Sequence, residues 1–192
     1  MYKRQQLGLG HAVNCARYAV GNDPFAVILG DDLILNDPPA TKQLLDIYEK
    51  HEASVIGVME VDKKETNKYG IVDGSFLESD KKTLYMKKMV EKPQPEDAPT
   101  NLATPGRYVF NNNIFNYLNE IPKGVGGEYQ LTDAINLMAQ KEKVLAHIYD
   151  GDRYDTGSIN GYFTATIDFA LRDESMRGFA LETMKKYLEK YE

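Results

Sequence analysis

Cysteine is nearly absent from this chain. Cys15 is the single copy in 192 residues, which excludes an internal disulfide framework and suits a reducing compartment. It sits in Ala12-Val13-Asn14-Cys15-Ala16 and reads as a small buried helix residue, with no His and Asp arrangement to make it a nucleophile. A basic excess is missing too: 23 Lys and Arg stand against 29 Asp and Glu, a net charge of −6. That balance leaves no footprint for nucleic acid or anionic lipid, although phosphate can still be bound locally. No apolar run is long enough to span a bilayer and no signal peptide is evident, so the expectation is a cytoplasmic protein. Repeats and low-complexity segments do not occur. Nor do a Walker pattern, a G-x-S-x-G elbow or a paired-cysteine zinc site, so the chemistries those motifs carry find no support.

What remains is an ordinary globular composition, 42% hydrophobic and 27% charged, over a length that supports one domain with a real core. Phe25-Ala26-Val27-Ile28-Leu29 is a continuous apolar run stopped by Gly30-Asp31-Asp32, which predicts a buried parallel strand. Asp37-Pro38-Pro39 reads as a cap with proline opening a helix, and Ala40, Leu44, Ile47, Tyr48 and His51 share one face of it. Ser54 to Val61 is the next strand, completing a right-handed crossover unit. Tyr69 to Asp73, Thr83 to Lys92 and Gly106 to Phe110 read as strands of a mixed or antiparallel region at the sheet edge. Helical spacing returns at Leu131, Ala134, Ile135 and Met138. Ser158 reads as the cap of a helix that turns Ile159, Tyr162, Phe163, Thr166, Phe169 and Ala170 inward. The final helix carries Met176, Phe179, Ala180, Met184, Tyr187, Leu188 and Tyr191 on one stripe, either docked core or a subunit interface. The expectation is a homo-oligomer.

The densest chemical signal is Met89-Val90-Glu91-Lys92-Pro93. Pro93 ends the ladder, and adjacent strand residues point to opposite faces, so Glu91 and Lys92 are not two casual charges on one surface. A ligand with hydroxyls and a phosphate could use both, because a carboxylate accepts from hydroxyls and an ammonium pairs with phosphate. A charged strand terminus before a Pro-rich loop is the bland alternative. Asp31 stands beyond the carboxyl end of a strand, where open α/β sheets bind ligands. Asp155 follows the strand Val144 to Tyr149 and precedes the Ser158 helix. Two carboxylates with phosphate oxygens and water suit Mg²⁺. Turn or cap aspartates explain the same two positions equally well. Glu128 reads as an acid favouring the helix that starts near Leu131. His11, in a Gly-rich turn, reads as structural, and His51 and His147 as isolated.

Upstream lie Gly8-Leu9-Gly10-His11-Ala12, Leu29-Gly30-Asp31-Asp32 and Tyr69-Gly70-Ile71-Val72-Asp73; downstream lie Gly127-Glu128-Tyr129-Gln130-Leu131-Thr132-Asp133-Ala134-Ile135 and Arg153-Tyr154-Asp155-Thr156-Gly157-Ser158. In this order and spacing, from about Leu7 to Leu171, they resemble the bacterial UTP–glucose-1-phosphate uridylyltransferases, also called UDP-glucose pyrophosphorylases. The resemblance implies an α/β, Rossmann-like nucleotidyltransferase fold with a mixed, mostly parallel sheet flanked by helices. It implies one such domain over 1–172 and a C-terminal amphipathic helix over 173–192. The reaction implied is UTP plus glucose 1-phosphate giving UDP-glucose and pyrophosphate. The family's roles fall here on Asp31 and Asp155 as Mg²⁺ ligands, Lys92 on the sugar phosphate, Glu91 on the sugar hydroxyls, Gly70 against the hexose and Gly8 against the uracil. The role goes to Asp31 rather than Asp32. The family's Gly-rich G-x-G-T-R segment is not seen, and Lys3 stands where a uracil-reading glutamine belongs. The expectation is a chain lacking its first βα segment and inactive alone. The alternatives are a thymidylyltransferase or other sugar-1-phosphate nucleotidyltransferase, and a non-catalytic ligand-binding or assembly domain.

Overall fold

A computed structural model describes residues 6–191; Lys3 lies outside them. The chain begins with two short helices, α1 (Leu9–Cys15) and α2 (Arg17–Val20), followed by strands β1 (Phe25–Ile28) and β2 (Asp32–Leu35) and helix α3 (Ala40–His51). Strands β3 (Ser54–Glu60), β4 (Gly70–Leu77), β5 (Asp80–Glu91), β6 (Leu102–Thr104) and β7 (Arg107–Phe110) come next. Helices α4 (Ile114–Glu120) and α5 (Leu131–Lys141) then precede β8 (Val144–Ile148), β9 (Asp152–Asp155), α6 (Ile159–Arg172) and α7 (Glu174–Tyr191). Two compact units result: residues 6–29 with 36–151, and residues 30–35 with 152–191.

The first unit is built on a seven-stranded sheet of order β1-β7-β3-β6-β4-β5-β8, in which β3 also pairs with β8. Helices cover both faces, as the alternation of adjacent strand residues dictates. Val55 and Val109 pack with Leu44 under α3, while their neighbours Ile56, Tyr108 and Phe110 join the larger core with Phe115, Ile135 and Met138. The mixed α/β class stands as expected. The proportion of parallel strands does not: β3–β8 is parallel and every other pairing of this sheet is antiparallel. The β1 run is the clearest correction. It pairs antiparallel with β7, and β7 separates it from β3, so the expected crossover unit spans a third strand. Phe25 and Val27 are half-buried, whereas Ala26 and Ile28 are exposed. A continuous apolar run does not encode the direction of its partner. The middle strands β4, β5 and β6 lie within the sheet and link β3 back to β8, rather than lining its edge. Register shifts in the β4–β5 ladder after Asp73 and Phe76 add the local bend that β-bulges supply.

The α3 cap is Pro39, without a side-chain hydrogen bond, so Asp37 does not serve there; Ala40 and Leu44 are the buried residues of the expected face. In the second unit β2 and β9 form a two-stranded antiparallel sheet. Tyr154 of β9 is buried against Phe169 of α6, with ring centroids 5.5 Å apart. Its hydroxyl bonds Asp168, which Arg172 holds at 2.9 Å. Ser158 caps α6 by accepting from the Gly161 N–H at 3.1 Å, as read. The inward face of α6 was misread: Ala165 is its buried residue, while Ile159, Tyr162 and Phe163 are exposed. Helix α7 buries no residue. A groove between α6 and α7 is lined by Phe163, Met176, Phe179, Met184 and Leu188. Among the described residues, no helix is long and apolar enough to cross a membrane.

Candidate active site

The strand ending in Glu91 is held by neighbours on three sides. Gly70 of β4 is the register partner of both Glu91 on β5 and Thr104 on β6. A Cβ on Gly70 would lie 2.8 Å from Met89 Sδ, 3.0 Å from Thr104 Cγ2 and 3.4 Å from Glu91 Oε2. Glycine is therefore needed here because its neighbours close over it. Helix α5 supplies the third side. The Thr132 hydroxyl donates to Glu91 Oε2 at 2.7 Å. One turn later, Asn136 accepts from the Met89 N–H at 2.7 Å and donates to the Met89 carbonyl at 2.8 Å. Asp133 is the acid of the first turn of α5, and burial together with the Glu91 charge pushes its carboxyl above the usual range. Glu128 precedes that turn and does not cap it.

Lys92 follows in an unusual backbone. Its φ is +46°, the left-handed region that L-residues other than Asn, Asp and Gly seldom enter. The turn is secured by its N–H donating to the Tyr69 carbonyl at 3.0 Å. Lys92 and Glu91 are both exposed. Two adjacent charges of opposite sign thus leave the strand on a hydrogen-bonded turn, an arrangement able to meet the hydroxyls and the phosphate of one ligand.

Asp31 and Asp155 meet in the second unit. Asp155 is the register partner of Asp32 across β2 and β9. The Asp31 carbonyl accepts from the Thr156 N–H at 2.8 Å and from the Thr156 hydroxyl at 3.0 Å. Asp31 Oδ2 and Asp155 Oδ1 lie 2.9 and 3.2 Å from the place a Cβ would take on Gly157. Two carboxylates thus face one small space that glycine keeps clear. Asp155 Oδ1 also accepts from the Gly157 N–H at 3.1 Å, the Asx-turn that its sequence position allowed. Asp32 points elsewhere: it is 2% exposed and paired with Arg153. Among the described residues no group of three or more His, Cys, Asp or Glu side chains could hold a metal. The donor set fits Mg²⁺, which binds through one or two carboxylates with phosphate oxygens and water completing its shell. The meeting occurs beside the small β2–β9 sheet of the second unit.

Gly8 packs against the α5 approach. Its φ is +94°, and a Cβ there would lie 2.8 Å from both Glu128 Cβ and the Tyr129 carbonyl oxygen. His11 and Cys15 are one turn apart on α1, with Sγ 3.8 Å from Nε2. Cys15 is exposed, against the buried position its small size suggested. His147 is not isolated. The Thr83 hydroxyl has a single hydrogen, which it donates to Asp80 at 2.5 Å, so it accepts from His147 Nδ1–H at 2.8 Å. Sequence reasoning missed Thr132 and Asn136 as partners of the Glu91 strand. Their i, i+4 spacing beside Asp133 was the available signal.

The mixed sheet with a carboxylate–ammonium strand end, and the carboxylates of Asp31 and Asp155 beside β2 and β9, make this an α/β protein whose charged groups suit a phosphate and a hard cation. The chain belongs to the nucleotidyl transferase family, whose sequence profile matches residues 1–171. Within that family it is similar to UTP–glucose-1-phosphate uridylyltransferase 2 of Staphylococcus saprophyticus, at 47% identity over 184 residues, covering 96% of this chain and 63% of that protein. The UTP–glucose-1-phosphate uridylyltransferase of Bacillus subtilis is 45% identical over 190 residues, covering 99% of this chain and 64% of that one. The chain thus spans less than two thirds of the length of these curated relatives. A crystal structure of UDP-glucose pyrophosphorylase complexed with UDP-glucose superposes with a TM-score of 0.84 at 39% identity, covering 90% of this chain and 66% of that one.

Proposed function

We propose that the chain is the hexose-phosphate-binding part of a UTP–glucose-1-phosphate uridylyltransferase. The observation that carries this reading is the Gly70–Glu91–Thr132 cluster beside Lys92, in a chain 47% identical to such an enzyme. In the reaction, an oxygen of the sugar phosphate attacks the α-phosphorus of UTP while the bond to pyrophosphate breaks. No general base is needed, because the attacking phosphate is already ionised. Glu91 accepts hydrogen bonds from sugar hydroxyls, and Lys92 pairs with the sugar phosphate and orients it. Gly70 lets β4, β5 and β6 close up behind Glu91, so that its backbone lies against the hexose side, and Gly8 lies against the uracil. Asp31 and Asp155 would hold Mg²⁺, which supplies charge neutralisation to the phosphates when bound. Self-association through the exposed apolar residues of α6 and α7 completes the reading, since a monomer seldom leaves so continuous an apolar patch in water.

Calorimetric titration of the chain with UDP-glucose, dTDP-glucose and glucose 1-phosphate tests the assignment. UDP-glucose should bind more tightly than dTDP-glucose. Equal or tighter binding of dTDP-glucose would make the protein a thymidylyltransferase instead.

A further inference from the structure

We propose that Asn136 is a positioning residue for sugar discrimination, acting on Glu91 through the main chain of Met89. The inference rests on the reading of Glu91 as the hydroxyl-binding group. Strand β5 is laddered to β4 along its length, but on its other side β8 covers only Thr83, Leu84 and Tyr85. Beyond that point β5 has no strand neighbour on that side among the described residues. An unpaired strand edge is free to shift or twist. At Met89 the Asn136 side-chain amide takes the neighbour's place, giving an acceptor to the N–H at 2.7 Å and a donor to the carbonyl at 2.8 Å. An amide side chain offers one donor and one acceptor in the same plane, as a peptide group does. Met89 lies two residues before Glu91, on the same face of the strand.

Asn136 is therefore the last fixed point of β5 on its open side before the carboxylate. Thr132, one turn earlier on the same helix face, bonds the carboxylate itself. Helix α5 thus grips both the main chain and the side chain of the strand end. A hydroxyl-reading group discriminates only when held to within a fraction of an ångström of its place. Loosening β5 at Met89 blurs that discrimination without touching the sugar.

The test uses the whole chain and compares glucose 1-phosphate with its mannose, allose and galactose counterparts by calorimetry. Wild type should favour glucose 1-phosphate over at least one epimer by about tenfold, the scale of one hydrogen bond to a charged group. Glu91→Gln identifies which epimer Glu91 excludes. Asn136→Ala should relax selection against that same epimer, and Glu91→Gln/Asn136→Ala should be no less selective than either single variant, because both act on one contact. Asn136→Asp, which keeps the shape and the acceptor for the Met89 N–H, should fall between wild type and Asn136→Ala, and it serves if the alanine variant does not fold. Undiminished selection in Asn136→Asp or Asn136→Ala, with or without lowered stability, would reduce Asn136 to a structural residue. Failure of wild type to bind any of the sugar phosphates would instead overturn the hexose site itself, and this inference with it.

Discussion

Lys92 occupies a conformation that costs about 1 kcal/mol for a residue with a Cβ, and Glu52, the α3 C-cap at φ +48°, occupies the same region. Replacing either by glycine relieves that cost and partly returns it as unfolded-chain entropy. Urea denaturation should therefore find Glu52→Gly and Lys92→Gly equal to wild type or more stable by up to about 1 kcal/mol. Their function should diverge: Lys92→Gly loses glucose 1-phosphate binding and Glu52→Gly keeps it. Retained binding in Lys92→Gly would restore the bland strand-terminus reading. The paired aspartates behave differently. Each is expected to be needed for Mg²⁺ binding in the presence of UTP, so Asp31→Asn and Asp155→Asn should each remove the Mg²⁺ signal in a titration, and the double variant should be no worse. An unchanged signal in one of them would release that aspartate from the metal site. At this scale the sequence was most legible where chemistry and punctuation coincide. Glu91-Lys92 before Pro93 announced a strand end, and Asp155 before the Ser158 helix announced the Asx-turn found there. The left-handed turn was invisible, because lysine carries no mark of positive φ. Cys15 misled because size was read without periodicity.

Among the elements, β5 and β8 are joined by a buried hydrogen bond from His147, whose ring is held neutral by burial and gains charge in acid. Burial pushes the His147 imidazole below its usual range, with Lys82 lowering it further and Asp80 and Asp150 opposing. His51 is lowered for the same reason, burial first and then Lys143 and Lys50. A histidine with a depressed folded value binds its proton more readily when the chain unfolds. Its contribution is whole above the unfolded value of about 6.5 and is lost as pH falls below it. The melting temperature should thus decline between neutral pH and pH 5. The decline should shrink in His147→Asn, whose amide can still donate to Thr83. An identical decline in that variant would locate the acid response at His51 or elsewhere. Element existence was largely legible, since periodicity marks α3 and α5 and the Ser158 cap marks α6. Strand partnership was not. Met89 and Asn136 are 47 positions apart, and an asparagine on a helix reads as neutral surface until the strand it serves is placed beside it.

For the molecule as a whole, α6 and α7 leave Phe179, Leu188 and Tyr191 in contact with solvent. If a second copy covers them, sedimentation equilibrium should give a mass above one chain, and Phe179→Glu with Leu188→Glu should return it to one. A single-chain mass for wild type at tens of micromolar would end the oligomer proposal. The amphipathic stripe was legible from spacing. Its burial was not, because a stripe records which residues avoid water together and not what they meet.

The strands β3, β6, β4, β5 and β8 pair in a closed circuit, with β1 outside it, held among the described residues by β7. A sheet ordinarily opens by losing a strand from its rim. A circuit has no rim, so releasing one member means breaking two ladders together. β1 can therefore fray as an independent event, while β5 stays anchored in the ring at Thr83 to Tyr85, and the grip at Glu91, past that ladder, lasts only as long as β4 and helix α5 hold the strand end.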